Sequence, residues 1–431
     1  MWWLGLWLVA FPRVSFGASF VVTSNAEVAP PGLARALERA GGTVDRRLAS
    51  LGALRVEADD PAFRAAAARL HGVRAVVPDV ALRLVDTEPV LDGWWDQAPP
   101  SDGDPLRPYQ WGLDAVGAPG AWAAGLTGAG VRVAVLDQGV DCEHPDLVAN
   151  VDVASSVSFI DGEGPCNEGP SGSHGTMVAG IIAAAGNGVG IVGVAPDAQI
   201  VSVKVFSQHS AQTPFSVILE GLDATADLDV DVVSMSFSES VPLRGNDEIT
   251  AADARELWRL VDRATQRLHR AGAVLVASVG NTATDLDADT DVVVLPAQAH
   301  FVLGVSGVAP TGWALDPTTP LLPTYYTSYG RSAVAFAAPG GTIGSGRQRC
   351  DMGLRCGAFD MVMTTTATGW GFGIGTSFAA PHVAGVAALF AQRLGPHAPP
   401  ARIEEELYRR AAREPGRVDP YWGWGLVSTG Y

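Results

Sequence analysis

The stretch Gly375-Thr376-Ser377-Phe378-Ala379-Ala380-Pro381-His382-Val383-Ala384-Gly385 constrains this chain more than any other. A glycine-marked turn delivers a serine directly into an apolar run of helical character. A serine there has an exposed hydroxyl beside the unpaired N–H groups of a helix N-terminus. That setting suits a nucleophile whose reaction develops negative charge on a nearby oxygen. Serine is also a preferred helix cap, so the segment alone leaves both readings open.

Two further segments narrow the choice. Val131-Arg132-Val133-Ala134-Val135-Leu136-Asp137-Gln138-Gly139 is an apolar, β-branched run ending in a carboxylate and a turn glycine. It reads as a buried parallel strand presenting Asp137 at its C-terminal edge, where open α/β sheets place their sites. Ser173-His174-Gly175-Thr176-Met177-Val178-Ala179-Gly180 opens a helix of small residues with a histidine in its first turn. A serine hydroxyl needs a positioned base. His174 is the candidate base for Ser377, and Asp137 the carboxylate that would orient the imidazole.

The order Asp137, His174, Ser377 is that of subtilisin rather than of chymotrypsin or the α/β-hydrolases. From about Asp104 onward the chain resembles the subtilases, subtilisin-like serine endopeptidases. Ala277-Ser278-Val279-Gly280-Asn281 resembles the strand carrying the oxyanion-hole asparagine. Gly190-Ile191-Val192-Gly193-Val194-Ala195-Pro196, Ser328-Tyr329-Gly330 and Ala337-Ala338-Pro339-Gly340 resemble further signatures of that family. The resemblance implies that Asn281 and the Ser377 N–H stabilise the developing oxyanion. It also implies that Ser236-Phe237-Ser238, with Gly280, pair with an extended substrate. Ser238-Glu239 departs from the small or glycine residues usual there, which alters the subsites. His144 and His382 are expected to be structural.

The resemblance further implies calcium, held by the side chains of Asp104, Asp146 and Asn187 and by carbonyls of Ala185, Val189 and Ile191. Hard cations take such mixed oxygen donors. Asp285, Asp287, Asp289 and Asp291 recur at every second residue, and three readings stay open for them: a solvated face, a cation site, or an acidic wall near the specificity pocket.

At 431 residues the chain is long enough for a large core and a smaller domain. A formal charge of −17 argues against nucleic acid or an anionic membrane as partner. Met1–Phe11 is too short to span a bilayer, and small residues follow at Gly17, Ala18 and Ser19. Residues 1–18 therefore read as a signal peptide, although no basic residue precedes the apolar run. Cys142, Cys166, Cys350 and Cys356 allow three disulfide connectivities. Proximity favours Cys142–Cys166 and Cys350–Cys356, and zinc is the alternative.

Residues 19–85 alternate strand and helix signals compatible with a split βαβ, ferredoxin-like module. Before a subtilase domain, such a unit resembles the family's propeptide, an inhibitor and folding aid. Its tail, Val80–Val85, is expected to add to the Ser236–Ser238 strand. Residues 86–103 are rich in Asp, Pro and Gly and read as a linker. Residues 104–431 then form the catalytic domain. Strand runs at 131–136, 200–205, 230–236, 273–278, 301–308 and 333–337 alternate with helical stretches at 174–185, 214–227, 252–271, 377–394 and 400–413. That alternation predicts a doubly wound, mostly parallel α/β sheet. The expected protein is a secreted monomer that matures itself and cleaves proteins or peptides. A catalytically silent binding module and an esterase are the rival readings. All four expected catalytic side chains are present, which argues against the first rival. The substrate-pairing strand and the propeptide argue against the second.

Overall fold

The computed structural model describes residues 18–84, 91–92, 103–167, 173–344, 348–351, 354–412 and 418–431. The expected signal peptide, Ala18 apart, and most of the linker lie outside the described residues. The chain divides into two units, Met1–Asp79 and Val80–Tyr431.

The first unit runs β1 (Ala18–Ser24), α1 (Pro31–Arg39), β2 (Thr43–Leu48), β3 (Ala53–Ala58), α2 (Phe63–Ala67) and β4 (Val73–Pro78). Its sheet is antiparallel in the order β2-β3-β1-β4, the split βαβ arrangement. Phe20, Val22, Leu33, Leu37, Leu54, Val56 and Phe63 fill one core under the helices. Strand β2 carries no clear strand signal of its own, because Asp45, Arg46 and Arg47 hide its alternation. Arg55 binds Asp45 at 2.8 Å, so the acidic charge of this strand is partnered across the sheet.

The second unit contains β5 (Ala81–Arg83), β6 (Leu91–Asp92), α3 (Trp111–Val116), α4 (Ala118–Ala123), β7 (Arg132–Asp137), β8 (Val157–Ser158), α5 (Ser173–Ala183), β9 (Gln199–Lys204), β10 (Gln212–Pro214) and α6 (Phe215–Thr225). Then come β11 (Val232–Met235), β12 (Glu239–Pro242), α7 (Ala251–Ala271), β13 (Val274–Ser278), β14 (Val292–Leu295), β15 (Val302–Ala309), β16 (Leu322–Pro323) and β17 (Phe336–Pro339). The last elements are β18 (Val362–Thr366), β19 (Gly369–Gly373), α8 (Thr376–Leu394) and α9 (Pro400–Arg410).

The main sheet has the order β16-β15-β13-β11-β7-β9-β8, with β17 also beside β15. All its pairings are parallel except β15 with β16. The expected doubly wound α/β fold is therefore present. Strand β7 lies between β9 and β11, where the chain order reverses. Such a switch point opens a crevice at the carboxyl ends of the strands, and Asp137 ends β7 there.

Helix α8 is buried on every side from Thr376 to Ala391, which is why it is apolar all round. Val133, Val135, Val178, Ile182, Val383 and Phe390 share one core with it. The compact first unit ends at Asp79, before the expected boundary at Val85. The reason is that Ala81–Arg83 form an antiparallel ladder with Gln212–Pro214. Among the described residues, the tail thus pairs with β10 rather than with Ser236–Ser238. Leu91–Asp92, inside the expected linker, pair with β19.

Candidate active site

Asp137, fully buried, presents both carboxylate oxygens to His174 Nδ1 at 2.9 Å. The Gln138 N–H donates to Oδ1 at 2.7 Å and helps fix the carboxylate. Histidine reaches this position because α5 starts at Ser173 against the end of β7. A Cβ on Gly175 would lie 2.1 Å from the Gly139 carbonyl oxygen and 3.1 Å from Asp137 Cβ, so only glycine allows the approach. The β18–β19 hairpin braces the same helix from the other side. Thr365 Oγ1 donates to the Thr176 carbonyl at 2.7 Å and Thr364 Oγ1 to that of Met177 at 2.6 Å. The sequence held no local signal for these threonines, since the contacts span 189 and 187 residues.

Ser377 is not a helix cap. The N-cap is Gly375, with φ 147°, and Ser377 stands in the first turn of α8. Its hydroxyl donates to the Ser236 carbonyl at 3.0 Å, and Ser236 Oγ donates back to the Ser377 carbonyl at 2.8 Å. The second bond has a backbone cause. Pro381 is four residues on and lacks the N–H that would normally take that carbonyl, so the Ser236 hydroxyl satisfies it. His174 Nε2 is buried without a hydrogen-bond partner.

Asn281 follows β13 through Gly280, which has φ 97°. Its Oδ1 accepts the Thr376 N–H at 2.9 Å and the Thr376 hydroxyl at 2.8 Å. Those two bonds commit Oδ1 to α8 and leave the amide Nδ2 as the donor end. Thr376 is a residue the sequence reading passed over, although it adjoins Ser377. Four of the expected site residues, Asp137, His174, Asn281 and Ser377, thus converge on the carboxyl ends of β7 and β13 and the start of α8.

Of the expected substrate-binding residues, Ser236–Ser238 lie between β11 and β12 in no ladder. Ser238 Oγ would be 3.1 Å from a Cβ on Gly280, so these two face each other. The Phe237 side chain is buried and meets the Phe206 ring edge-on at 5.4 Å, so only its backbone is left for a substrate. Glu239 begins β12 opposite Leu295. Burial, with Glu248 nearby, pushes its carboxyl up to about 7.

The acidic run resolves into local structure. Asp285 Oδ1 accepts the N–H groups of Asp287 and Ala288, and Asp289 Oδ1 accepts that of Asp291. Asp287 caps Arg331 N–H at 2.8 Å and Ser332 N–H at 2.9 Å, and Asp291 pairs with Arg244. Among the described residues, no three His, Cys, Asp or Glu side chains converge as a metal set.

Of the expected calcium residues, the side chains of Asp104, Asp146 and Asn187 all bond to the backbone around the loop after α5. Asp146 is fully buried; its Oδ2 accepts the Ile191 N–H at 2.9 Å and Trp370 Nε1–H at 2.6 Å. Its Oδ1 is buried with no partner. Burial pushes this carboxyl up to about 6, and the Asp104 charge adds to the rise. Asp104 Oδ1 accepts the N–H groups of Asn187 and Gly188, and Asn187 Nδ2 donates to the Pro145 carbonyl. An orphaned oxygen on a buried carboxylate, with the Asp104 charge nearby, fits a hard cation.

The cysteines pair as Cys142–Cys166 and Cys350–Cys356. The first bridge ties the loop after Asp137 to the segment before His174. His144 Nε2 donates to the Gly369 carbonyl and Nδ1 accepts the Asp146 N–H. His382 Nδ1 donates to the Phe378 carbonyl, and burial pushes that imidazole down to about 4. Both rings are structural.

Comparison with known proteins agrees with this geometry. Residues 128–425 match the family model described as the subtilase family. Subtilisin NAT of Bacillus subtilis subsp. natto is 32% identical over 324 residues, covering 75% of this chain and 70% of that protein. A subtilisin of Bacillus pumilus is 32% identical over 324 residues, with 75% and 97% covered. Among solved structures, the epidermin leader peptide processing serine protease of Staphylococcus aureus superposes with a TM-score of 0.75. That match covers 96% of this chain and 97% of the other, at 18% identity. No described helix is long and apolar enough to cross a membrane. The chain belongs to the subtilase family and is a subtilisin-like serine-type endopeptidase.

Proposed function

We propose that this endopeptidase works through an acyl-enzyme, with Ser377 as nucleophile, His174 as general base and then acid, and Asp137 orienting the imidazole. The observation that carries the reading is the Asp137–His174 pair at 2.9 Å, whose imidazole lies 6.0 Å from the Phe378 ring, at the same helix start that holds Ser377 and tethers Asn281. In the free enzyme the Ser377 hydroxyl rests on the Ser236 carbonyl. An extended substrate lying along Ser236–Ser238 and Gly280 competes for that carbonyl. The hydroxyl is then free to turn to His174 Nε2, whose hydrogen-bonding capacity is unspent. Free-enzyme contacts of this kind are commonly loose and tighten on binding. As Ser377 attacks, the carbonyl oxygen gains charge next to the Ser377 N–H and Asn281 Nδ2. His174 then hands its proton to the leaving amine, and water repeats the sequence on the ester.

A fluorophosphonate probe tests the assignment. It is expected to label the purified protein once, and peptide mapping should place the adduct on Ser377. Labelling at another serine, or peptide hydrolysis that survives full labelling, would refute it.

The first unit reads as an inhibitory propeptide that the enzyme removes, and the protein as one exported behind a signal peptide. The split βαβ fold and the extended Val80–Leu84 segment on β10 support this. So does a structural likeness that covers more of the chain than the second unit alone. Exposed strand edges capture such extended tails by main-chain hydrogen bonds.

Calcium belongs to the same reading. Asp146, Asp104, Asn187 and the carbonyls of Ala185, Val189 and Ile191 would hold it, and it would supply charge neutralisation to the loop after α5. A ligand bound only by the folded state adds RT ln(1 + [L]/Kd) of stability. Chelation is therefore expected to lower the thermal midpoint of the Ser377→Ala protein, in which autolysis cannot intervene. Asp146→Asn should abolish the chelator effect. Superimposable melting curves with excess calcium and with chelator would remove the metal.

A further inference from the structure

Tyr326 lies outside every motif considered so far, yet it bonds to the chain two residues from each of the proposed oxyanion donors. Its side chain is buried. The hydroxyl oxygen accepts the Gly375 N–H at 2.9 Å and lies 2.7 Å from the carbonyl oxygens of both Gly340 and Gly341, so its single proton is shared between them. Gly375 is the cap of α8, two residues before Ser377. The Tyr326 backbone carbonyl meanwhile accepts the Ala283 N–H at 2.8 Å. Ala283 stands two residues after Asn281 and has φ 53°, a left-handed conformation that a non-glycine residue adopts only when its surroundings hold it. The following residues continue the clasp: Ser328 N–H donates to the Gly280 carbonyl at 2.9 Å and Tyr329 N–H to that of Thr284 at 3.0 Å. Residues 326–329 therefore bracket Asn281 on both sides, while the phenol of the same segment grips the turn that carries the Ser377 N–H.

We infer that Tyr326 is a positioning residue of this protease: its carbonyl and its hydroxyl together set the distance between the two oxyanion donors. The inference rests on the oxyanion roles proposed above for Asn281 and Ser377. Two donors on different elements stabilise one oxygen only if both are held within a few tenths of an ångström of their working places. The Thr376–Asn281 bonds fix one contact between the two arms, and Tyr326 supplies the second. Two tie points set a separation and an angle, whereas one leaves a hinge. Burial also keeps the phenol protonated, because it pushes the hydroxyl's pKa further above its ordinary value. The donor to Gly340 and Gly341 is thus retained over the working pH range.

Tyr326→Phe removes the hydroxyl and leaves the ring and the backbone bond to Ala283. Substrate does not yet carry the negative charge in the ground state, so KM should stay constant while kcat falls. About a tenfold loss is expected, less than the 10²–10³ lost when an oxyanion donor is deleted outright, a figure that comes from subtilisin itself. Rates are normalised to sites counted with the fluorophosphonate probe, so partial misfolding does not enter. A peptide aldehyde, which forms an oxyanion on the enzyme, should bind about tenfold more weakly to the variant. A product peptide, which forms none, should bind unchanged. Asn281→Ala run alongside separates the two failures. If Asn281→Ala keeps the parental kcat, the oxyanion assignment itself falls. If Asn281→Ala loses rate while Tyr326→Phe keeps parental kcat and aldehyde affinity, with or without a lower thermal midpoint, Tyr326 is only a packed core hydroxyl and the positioning role is overturned.

Discussion

Ser377→Ala is expected to abolish peptide hydrolysis, with a loss on the order of 10⁶ in kcat, and to leave the chain uncut at its N-terminal unit. That magnitude is known from subtilisin itself, where loss of the nucleophile costs about as much as loss of the whole triad. The physical reason here is local. The Ser377 hydroxyl is the one at the start of α8 that faces both the Ser236 carbonyl and the proposed oxyanion donors. Alanine removes the atom that becomes the acyl ester and disturbs little else, since the Ser236 hydroxyl keeps its bond to the residue 377 carbonyl. Folding should survive, as read by an unchanged thermal midpoint. The measurement pairs mass spectrometry of the expressed chain with turnover of a peptide substrate. A variant that still trims itself to the mature mass, in the absence of other proteases, would place the nucleophile elsewhere.

Asp137→Asn should cost about 10⁴ in kcat, the scale seen when the orienting carboxylate of a triad becomes an amide. Asp137 is fully buried and both its oxygens face His174 Nδ1, with the Gln138 N–H on Oδ1. A carboxylate can only accept, so it requires a proton on Nδ1 and leaves Nε2 as the acceptor facing the serine side. An amide can donate to Nδ1, which favours the tautomer with the proton on Nε2 and removes the base. It also leaves the imidazolium of the transition state without a counter-charge in a buried site. The variant is nearly isosteric, so the folded structure should persist and KM should hold within a few-fold while kcat collapses. A loss smaller than tenfold would mean that Asp137 only supports packing.

Much of this was legible in the chain because it depends on local chemistry. The β-branched run before Asp137, the small-residue helix after His174 and the glycine turn before Ser377 each state an element and its end. The order of the three residues places them on a subtilisin-like sheet. Helices α6, α7 and α9 lie close to their expected bounds because their apolar faces repeat at the helical period, and α8 because its apolar run is unbroken. The main strands, buried on both faces, read as continuous apolar runs.

Other features follow from contacts far apart in sequence. Strand β2 is hidden in the sequence because charged residues interrupt its alternation, and one of them, Asp45, finds its partner across the sheet on Arg55 of β3. The tail after Val80 paired with Gln212–Pro214 because an edge was available there, and no property of the tail itself selects one edge over another. The alternating aspartates at 285, 287, 289 and 291 left three readings open, and in the fold Asp285, Asp287 and Asp289 cap backbone N–H groups. Sequence alone named the groups proposed to react, since their chemistry is a property of residue type and local turn. Tertiary structure alone decided what holds them. The Ser236–Ser377 exchange, the threonines under α5 and the two-armed grip of Tyr326 join segments between 14 and 189 residues apart. Chain folding brings such partners together, and nothing local announces them.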